Sequence, residues 1–318
     1  MAAEGRVGAV AGLWRFPVKS MGGERLDEAE LTGRGIAGDR AFAVIDVETG
    51  KVVSAKSVRL FPQMLLCRAT FVESPRAGRE APPVRIALPG GEVVDSDSPA
   101  ADRTLSAFFG REVRLARSAP EDFTIDMYHP DVDGAGPAGL RDTVVEQKLG
   151  SAFFGALGVA SPVEVGAFFD LFPVTVISTS TLTRLGELAP RSRFDPRRFR
   201  MNVIVDTDEP GFPENDWVGR EVSLGDHVRL GVAMPDSRCV MTTLAQDELP
   251  NDPEVLRTLV RHNRIPVGEA GSSPCAGVYA VVGTPGTLRT GDGVTVAWDR
   301  SPLPRARQEP LPRVLRRG

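Results

Sequence analysis

Cysteine, histidine and tyrosine are all scarce in this 318-residue chain, which holds three, three and two of them. Cys67, Cys239 and Cys275 lack the CxxC spacing of a zinc or iron–sulfur site, and three residues cannot build a disulfide framework. Unpaired thiols imply a reducing, cytoplasmic setting. His129, His227 and His262 are dispersed, so no zinc site is expected. Long apolar runs are missing as well. None reaches the length a bilayer span needs, and the longest are broken by Gly or Pro. The opening Met-Ala-Ala-Glu-Gly-Arg has no apolar core, so no secretory signal is expected. Positive charge is not in excess: the formal net charge of −4 argues against a nucleic-acid partner. What remains is 42% hydrophobic and 25% charged, the balance of a globular protein. The length suits one large domain or two ordinary ones, either able to bury a core.

Strand-like alternation fills the first third. Val7–Phe16, Glu24–Leu31, Arg40–Val47, Lys51–Ser54, Met64–Phe71, Val84–Leu88, Glu92–Val94 and Val113–Ala116 read as strands. They are punctuated by turns such as Glu48-Thr-Gly50 and Pro89-Gly-Gly91. Ser98 and Pro99 open one helix that runs to Phe109 and stops at Gly110. Many short strands with one helix predict a small β-barrel or sandwich over residues 7–118. Residues 119–171 change character. Asp126–Gly139 shows neither helical nor strand period and reads as a linker or a loop over a site. Strands return at Phe172–Ile177, Phe199–Asp206, Glu221–Leu224, Val228–Ala233, Gly277–Val282 and Val294–Trp298, with helices near 178–188 and 253–263. The expected class is α+β but β-dominated: a second barrel over 172–300 with a few short helices, then a Pro/Arg-rich, disordered tail over 301–318.

One run organises the second half: Met234-Pro-Asp-Ser237-Arg238-Cys239-Val-Met-Thr242-Thr243. A strand delivers it, and a polar loop follows. Thiolate is the form of cysteine that attacks or ligates, and a neighbouring arginine favours it. A strand end can present such a side chain rigidly to a cleft. Other polar groups also gather at strand ends and loops. Lys19 and Ser20 follow the first strand, and Arg40 opens the third. Ser178, Thr179 and Ser180 sit at a helix start, where free N–H groups favour an anion. Arg200 and Asn202, two apart on one expected strand, share a face. Each alone has a plain reading as a surface charge or cap. Jointly they describe a site for a phosphate-bearing, hydrogen-bond-rich ligand around one thiolate.

These motifs carry a family resemblance. Pro17-Val-Lys19-Ser20-Met-Gly-Gly-Glu24, with Gly38-Asp39-Arg40 and Ser54-Ala-Lys56, resembles the N-terminal β-barrel domain that precedes a MOSC domain. Phe199-Arg-Met-Asn202, then Ser237-Arg238-Cys239-Val-Met-Thr242-Thr243, then Gly277-Val-Tyr279, resembles the MOSC domain itself. Together the two motifs make the chain similar to the mitochondrial amidoxime reducing components and their bacterial counterparts, molybdenum-cofactor reductases of N-hydroxylated compounds. The resemblance implies that Cys239 is both the catalytic residue and the protein ligand to molybdenum, a soft thiolate for a metal that accepts one. It implies that Lys19, Ser20, Arg40, Ser178, Thr179, Arg200, Asn202, Ser237, Arg238 and Tyr279 line the molybdenum cofactor (molybdopterin). No pyridoxal phosphate, haem or iron–sulfur cluster is expected in this chain. The substrate would be a small N-oxygenated compound, and electrons would come from a separate ferredoxin- or flavin-type donor protein. No membrane contact is expected, and a monomer is. Asp126, Tyr128, His129 and Asp131 are candidates for the substrate side, while Cys275 reads as a packed thiol. Two rivals stand beside this reading: a carrier that delivers the cofactor or its sulfur without turnover, and a structural pair of barrels with no cofactor.

Overall fold

The computed structural model describes residues 4–137, 139–268 and 271–298. The expected tail over 301–318 lies outside them. In the first half the elements are β1 (Glu4–Arg15), β2 (Glu24–Leu26), β3 (Glu28–Thr32), β4 (Gly35–Ile36), β5 (Ala43–Asp46), β6 (Arg68–Phe71), β7 (Val84–Ala87), β8 (Val93–Asp95), α1 (Ala101–Phe109) and β9 (Val113–Ala116). Next come β10 (Thr124–His129), β11 (Thr143–Lys148), α2 (Gly150–Ala156), β12 (Val174–Ser178), α3 (Thr179–Leu188), α4 (Pro196–Phe199) and β13 (Val203–Thr207). The chain continues with β14 (Glu221–Leu224), β15 (Val228–Ser237), α5 (Glu254–His262), β16 (Arg264–Pro266), β17 (Ser272–Thr284), β18 (Gly286–Arg289) and β19 (Gly293–Ala297). Strands dominate, as the alternation predicts.

The larger barrel closes in the order β12-β13-β1-β19-β14-β15-β17 and back to β12. Period-two patterning explains its lining. Val222 and Leu224 of β14 point inward with Val294 and Val296 of β19, while the residues between them face outward. Gly8 permits the β1–β13 contact, because a Cβ there would stand 1.7 Å from the Asp206 carbonyl oxygen. Notably, β1 belongs to this barrel, pairing with β13 and β19. The opening strand is therefore laid into the sheet built by the last third of the chain.

Residues 16–116 wrap a second core around Val18, Met21, Phe42, Val44, Phe61, Met64 and Ile86. Lys51–Ser54, expected as a strand, makes only an isolated bridge from Val52 to Ile45. The α1 helix begins at Ala101, later than Ser98, and ends at Gly110 with φ 67°, as its glycine predicts. The stretch from 119 to 171 departs from its reading as loop. β10 and β11 pair in an antiparallel hairpin through Asp126↔Glu146 and Tyr128↔Val144, and Phe123, Ile125 and Phe168 bury into a third core. The strand was hidden because Ile125 and Met127 carry its period for only two positions before polar His129 falls on the same face. No helix of the described residues is long and apolar enough to cross a membrane.

Candidate functional site

Three loops converge where the two halves meet. The first follows β1 and carries Lys19 and Ser20, joined by Arg40 from the turn between β4 and β5; the second precedes β12 and carries Phe169, Asp170 and Phe172. The third is the turn after β15, with Ser237, Arg238 and Cys239. They enclose a small cleft that is partly open to solvent. Eight of the residues singled out in the sequence line it: Lys19, Ser20, Arg40, Arg200, Ser237, Arg238, Cys239 and Tyr279.

Cys239 stands two residues past β15, with extended backbone, at the start of the short helical turn Val240–Thr243. Thr242 Oγ1 donates to the Cys239 carbonyl at 3.0 Å, which fixes the turn without engaging the sulfur. The thiol is half-buried, whereas Cys67 and Cys275 are fully buried and burial pushes both up to about 12. The packed reading of Cys275 holds.

The cations are held by anchors behind them. Arg238 donates from Nε to the Ala276 carbonyl at 2.9 Å, from Nη1 to the Phe199 carbonyl at 2.9 Å and from Nη2 to Asp236 Oδ2 at 2.5 Å. Arg200 donates to the Met21 carbonyl at 2.5 Å and stacks on Phe16 at 4.2 Å, so a barrel residue grips the opposite half. Arg40 pairs with Asp39 and covers the rings of Phe16 and Phe169. Lys19 pairs with Asp170 Oδ1, while Lys56 reaches Asp170 Oδ2 at 2.7 Å.

Burial brings the Lys19 ammonium down to about 8, with Asp170 pulling the other way. Burial and neighbouring Arg40 lower Arg200 to about 9. At Lys56 burial would lower the ammonium, but Asp170, Cys239 and Asp236 outweigh it and hold it above its ordinary value. Burial would raise Asp170, yet Lys19 and Lys56 hold it well below the carboxylate range. Burial lifts Asp236 to about 6 against the pull of Arg238, and lifts Tyr279 well above an ordinary phenol.

Three expected residues lie off this lining. Ser178 is fully buried at the start of α3, accepting from Thr181 N at 3.0 Å and donating to Glu214 Oε2 at 2.6 Å. Thr179 donates to Asp206 at 2.7 Å. Asn202 is fully buried, donating to Asp39 Oδ2 at 2.9 Å and to the Trp14 carbonyl at 3.2 Å. It braces the loop that holds Arg40. Arg200 and Asn202 do not share a strand face: β13 starts at Val203, and Arg200 caps α4 in left-handed backbone, φ 54°. Asp126, Tyr128, His129 and Asp131 are also absent from the lining. Asp126 binds Lys51 at 2.6 Å, Tyr128 donates to Asp142 at 2.9 Å and Asp131 accepts from Arg141 at 2.6 Å.

Sequence reasoning missed Lys56, Asp170, Phe172 and Asp236, all of which line the cleft. Lys56 stands in the Ser-Ala-Lys motif and Asp236 in the cysteine run, so adjacency was the available signal. Six basic residues and two acidic ones line the cleft, leaving an excess of positive charge. Arg200 Nη2 is buried without a protein partner, a donor awaiting an acceptor. No cluster of three or more His, Cys, Asp or Glu suited to a metal occurs among the described residues.

Fold and site define a β-barrel protein with a cation-lined cleft edged by a free thiol. The chain belongs to the MOSC proteins: residues 7–113 match the MOSC N-terminal beta barrel domain and residues 165–295 match the MOSC domain. It is 26% identical over 309 residues to mitochondrial amidoxime-reducing component 1 of Homo sapiens, covering 91% of this chain and 83% of that protein. It is 27% identical over 300 residues to mitochondrial amidoxime reducing component 2 of Bos taurus, with the same coverage of 91% and 83%. Among solved structures, the YUAD protein from Bacillus subtilis aligns over 93% of this chain and 98% of that one, at 13% identity and a TM-score of 0.42.

Proposed function

We propose that this protein serves a molybdenum-cofactor-dependent reduction of N-hydroxylated or N-oxide compounds, with electrons from a separate donor protein. The observation that carries the reading is a half-buried thiol, Cys239, on the wall of a cleft lined by six basic residues. The donor set fits the group. A thiolate suits a soft metal, and the unpartnered Arg200 Nη2, with Lys19 and Arg40, suits an anionic phosphate. In this reading Cys239 is the metal ligand, and Lys19, Ser20, Arg40, Arg200, Ser237, Arg238 and Tyr279 hold the organic part. When bound, the group supplies two-electron redox chemistry.

The chain supplies position, charge and protons. Reduction of an N–OH compound consumes two electrons and two protons and releases water, leaving N–H. Lys56 stays protonated at neutral pH through Asp170 and Asp236, and so holds a proton at Nζ within the cleft. Asp170 ties Lys19 and Lys56 together, which keeps two ammonium groups from drifting apart under mutual repulsion. The aromatic residues Phe169, Phe172 and Tyr279 exclude water from one side. The homology to the amidoxime-reducing components supports this reading. The test is turnover of an N-hydroxyamidine by protein made in a cofactor-producing host and supplied with a reduced flavin- or ferredoxin-type donor. Amidine formed in proportion to donor oxidised is the expected result. Cofactor that is bound but readily released, with no turnover, would contradict the reductase reading and favour the carrier.

A further inference from the structure

The cleft is lined by two unlike kinds of group. Lys19, Arg40, Lys56, Arg200 and Arg238 carry its positive charge. Among its rings, Phe172 opens a line that extends beyond the lining. Its centroid lies 5.4 Å from that of Tyr279 at 31°, and 5.9 Å from that of Phe154 at 84°. Phe154 in turn meets Phe153 edge-on at 5.3 Å. All four rings belong to half-buried residues. Phe153 and Phe154 ride on α2, whose other residues are Gly, Ser and Ala, so no bulky helix neighbour covers them. Leu157 and Val159, 44% and 48% exposed, prolong the apolar strip.

Single exposed apolar residues are ordinary, but a continuous line of rings entering a charged cleft is surface kept for contact. The other phenylalanines of the cleft are already covered. The Arg40 guanidinium lies 5.6 Å over Phe169, and that of Arg238 lies 5.6 Å over Phe199. Among the described residues no cation stacks on Phe172. Its ring packs against Tyr279 and Phe154 and, being only half-buried, also borders the cleft, where a flat apolar group is what an aromatic ring receives best.

We propose that Phe172, extended outward by Phe154, is the specificity-determining surface for the organic part of the substrate, so that this protein favours N-oxygenated compounds carrying a flat aromatic substituent. The inference rests on the reductase reading above and narrows its substrate. Small alkyl compounds and free hydroxylamine leave the ring line uncovered and are the poorer substrates.

The experiment compares a phenyl-bearing with a methyl-bearing N-hydroxyamidine on cofactor-loaded wild type, Phe172→Ala, Phe172→Leu and Phe172→Trp. Calorimetric binding of benzamidine and acetamidine, which need no electron donor, is measured on the same proteins. Wild type prefers phenyl in kcat/KM, and Phe172→Ala loses about tenfold of that preference, chiefly through KM. Phe172→Trp retains it. Phe172→Leu, which keeps most of the volume without the flat face, loses it as well and serves if the alanine variant does not fold. A phenyl preference equal in all four proteins overturns the proposal. If neither compound is reduced, the reductase reading fails. The calorimetry then decides alone: phenyl-selective binding that disappears in Phe172→Leu upholds the aromatic surface, and unselective binding overturns it.

Discussion

Ser20, Arg40 and Arg200 hold left-handed backbone, with φ of 64°, 50° and 54°, and all three line the cleft. That conformation costs a non-glycine residue on the order of 1 kcal/mol or more and persists only where surroundings enforce it. Here the enforcement is visible. Arg200 is held by the Met21 carbonyl and Phe16, Arg40 by Asp39 and Phe16. The strain is spent on aiming side chains into one space. Asp236 shows the same economy of position at the level of a proton. Its folded pKa, about 6, lies above the ordinary aspartate value near 4. Between those values the folded state binds more protons than the unfolded chain, so this group's stabilising contribution is full below about pH 4 and is lost as pH rises through about 6. Asp236→Asn removes that dependence. Denaturant titrations of the cofactor-free protein should show the variant gaining stability relative to wild type between pH 4 and 7. A difference that stays flat, or that falls with pH, would contradict the burial argument. At this scale the sequence discloses what is written in contiguous motifs. Lys19-Ser20 and Ser237-Arg238-Cys239 each bring several groups to one turn. Asp170 and Phe172 are written in Phe-Phe-Asp-Leu-Phe, where apolar neighbours read as a strand edge and nothing local reveals the distant Lys19 and Lys56.

At the scale of elements, the start of α3 separates capping from ligand binding. A serine at a helix start reads equally as a cap or as an anion site, and the sequence alone leaves both open. The decisive group is Glu214, fully buried in the turn Pro213–Trp217, far along the chain, and invisible to local reading. Burial raises its pKa, while Ser178 and Thr181 oppose the rise by donating to it. Gly277 N also donates to this carboxylate at 3.2 Å, so one acid ties α3 to β17. Glycine is required at that point: its φ is 76°, and a Cβ would stand 2.6 Å from the Val176 carbonyl oxygen. Ser178→Ala should cost about 1–3 kcal/mol of unfolding free energy, since a cap and a buried donor are both lost. Its molybdenum content should match wild type. Metal lost at unchanged stability would return Ser178 to the ligand-binding set. Long, clean elements are the legible ones: β14, β19 and α5 follow their periods closely. β10 and β11 are not: β11 buries no residue, and the acids Asp126 and Glu146 stand opposite each other across the hairpin, bridged by Lys51.

Across the whole molecule, the cleft exists because the halves are interleaved. β1 closes the barrel of the last third, then hands the chain directly to the loop bearing Lys19 and Ser20. Arg200 and Asn202 reach back from the barrel to Met21, Trp14 and Asp39. Thiol and cations thereby face one another from segments about two hundred residues apart in sequence. Composition and strand count make the β-dominated class legible, but not this interleaving, since a strand's pattern does not say which sheet receives it. The central claim is that Cys239 holds molybdenum within this shared cleft. Its most direct test is molybdenum per chain, by elemental analysis, in wild type and Cys239→Ala purified from the same cofactor-producing host. The claim predicts close to one metal per wild-type chain and at least a tenfold loss in the variant, with folding unchanged. Equal molybdenum in both proteins, or none in either, would contradict it.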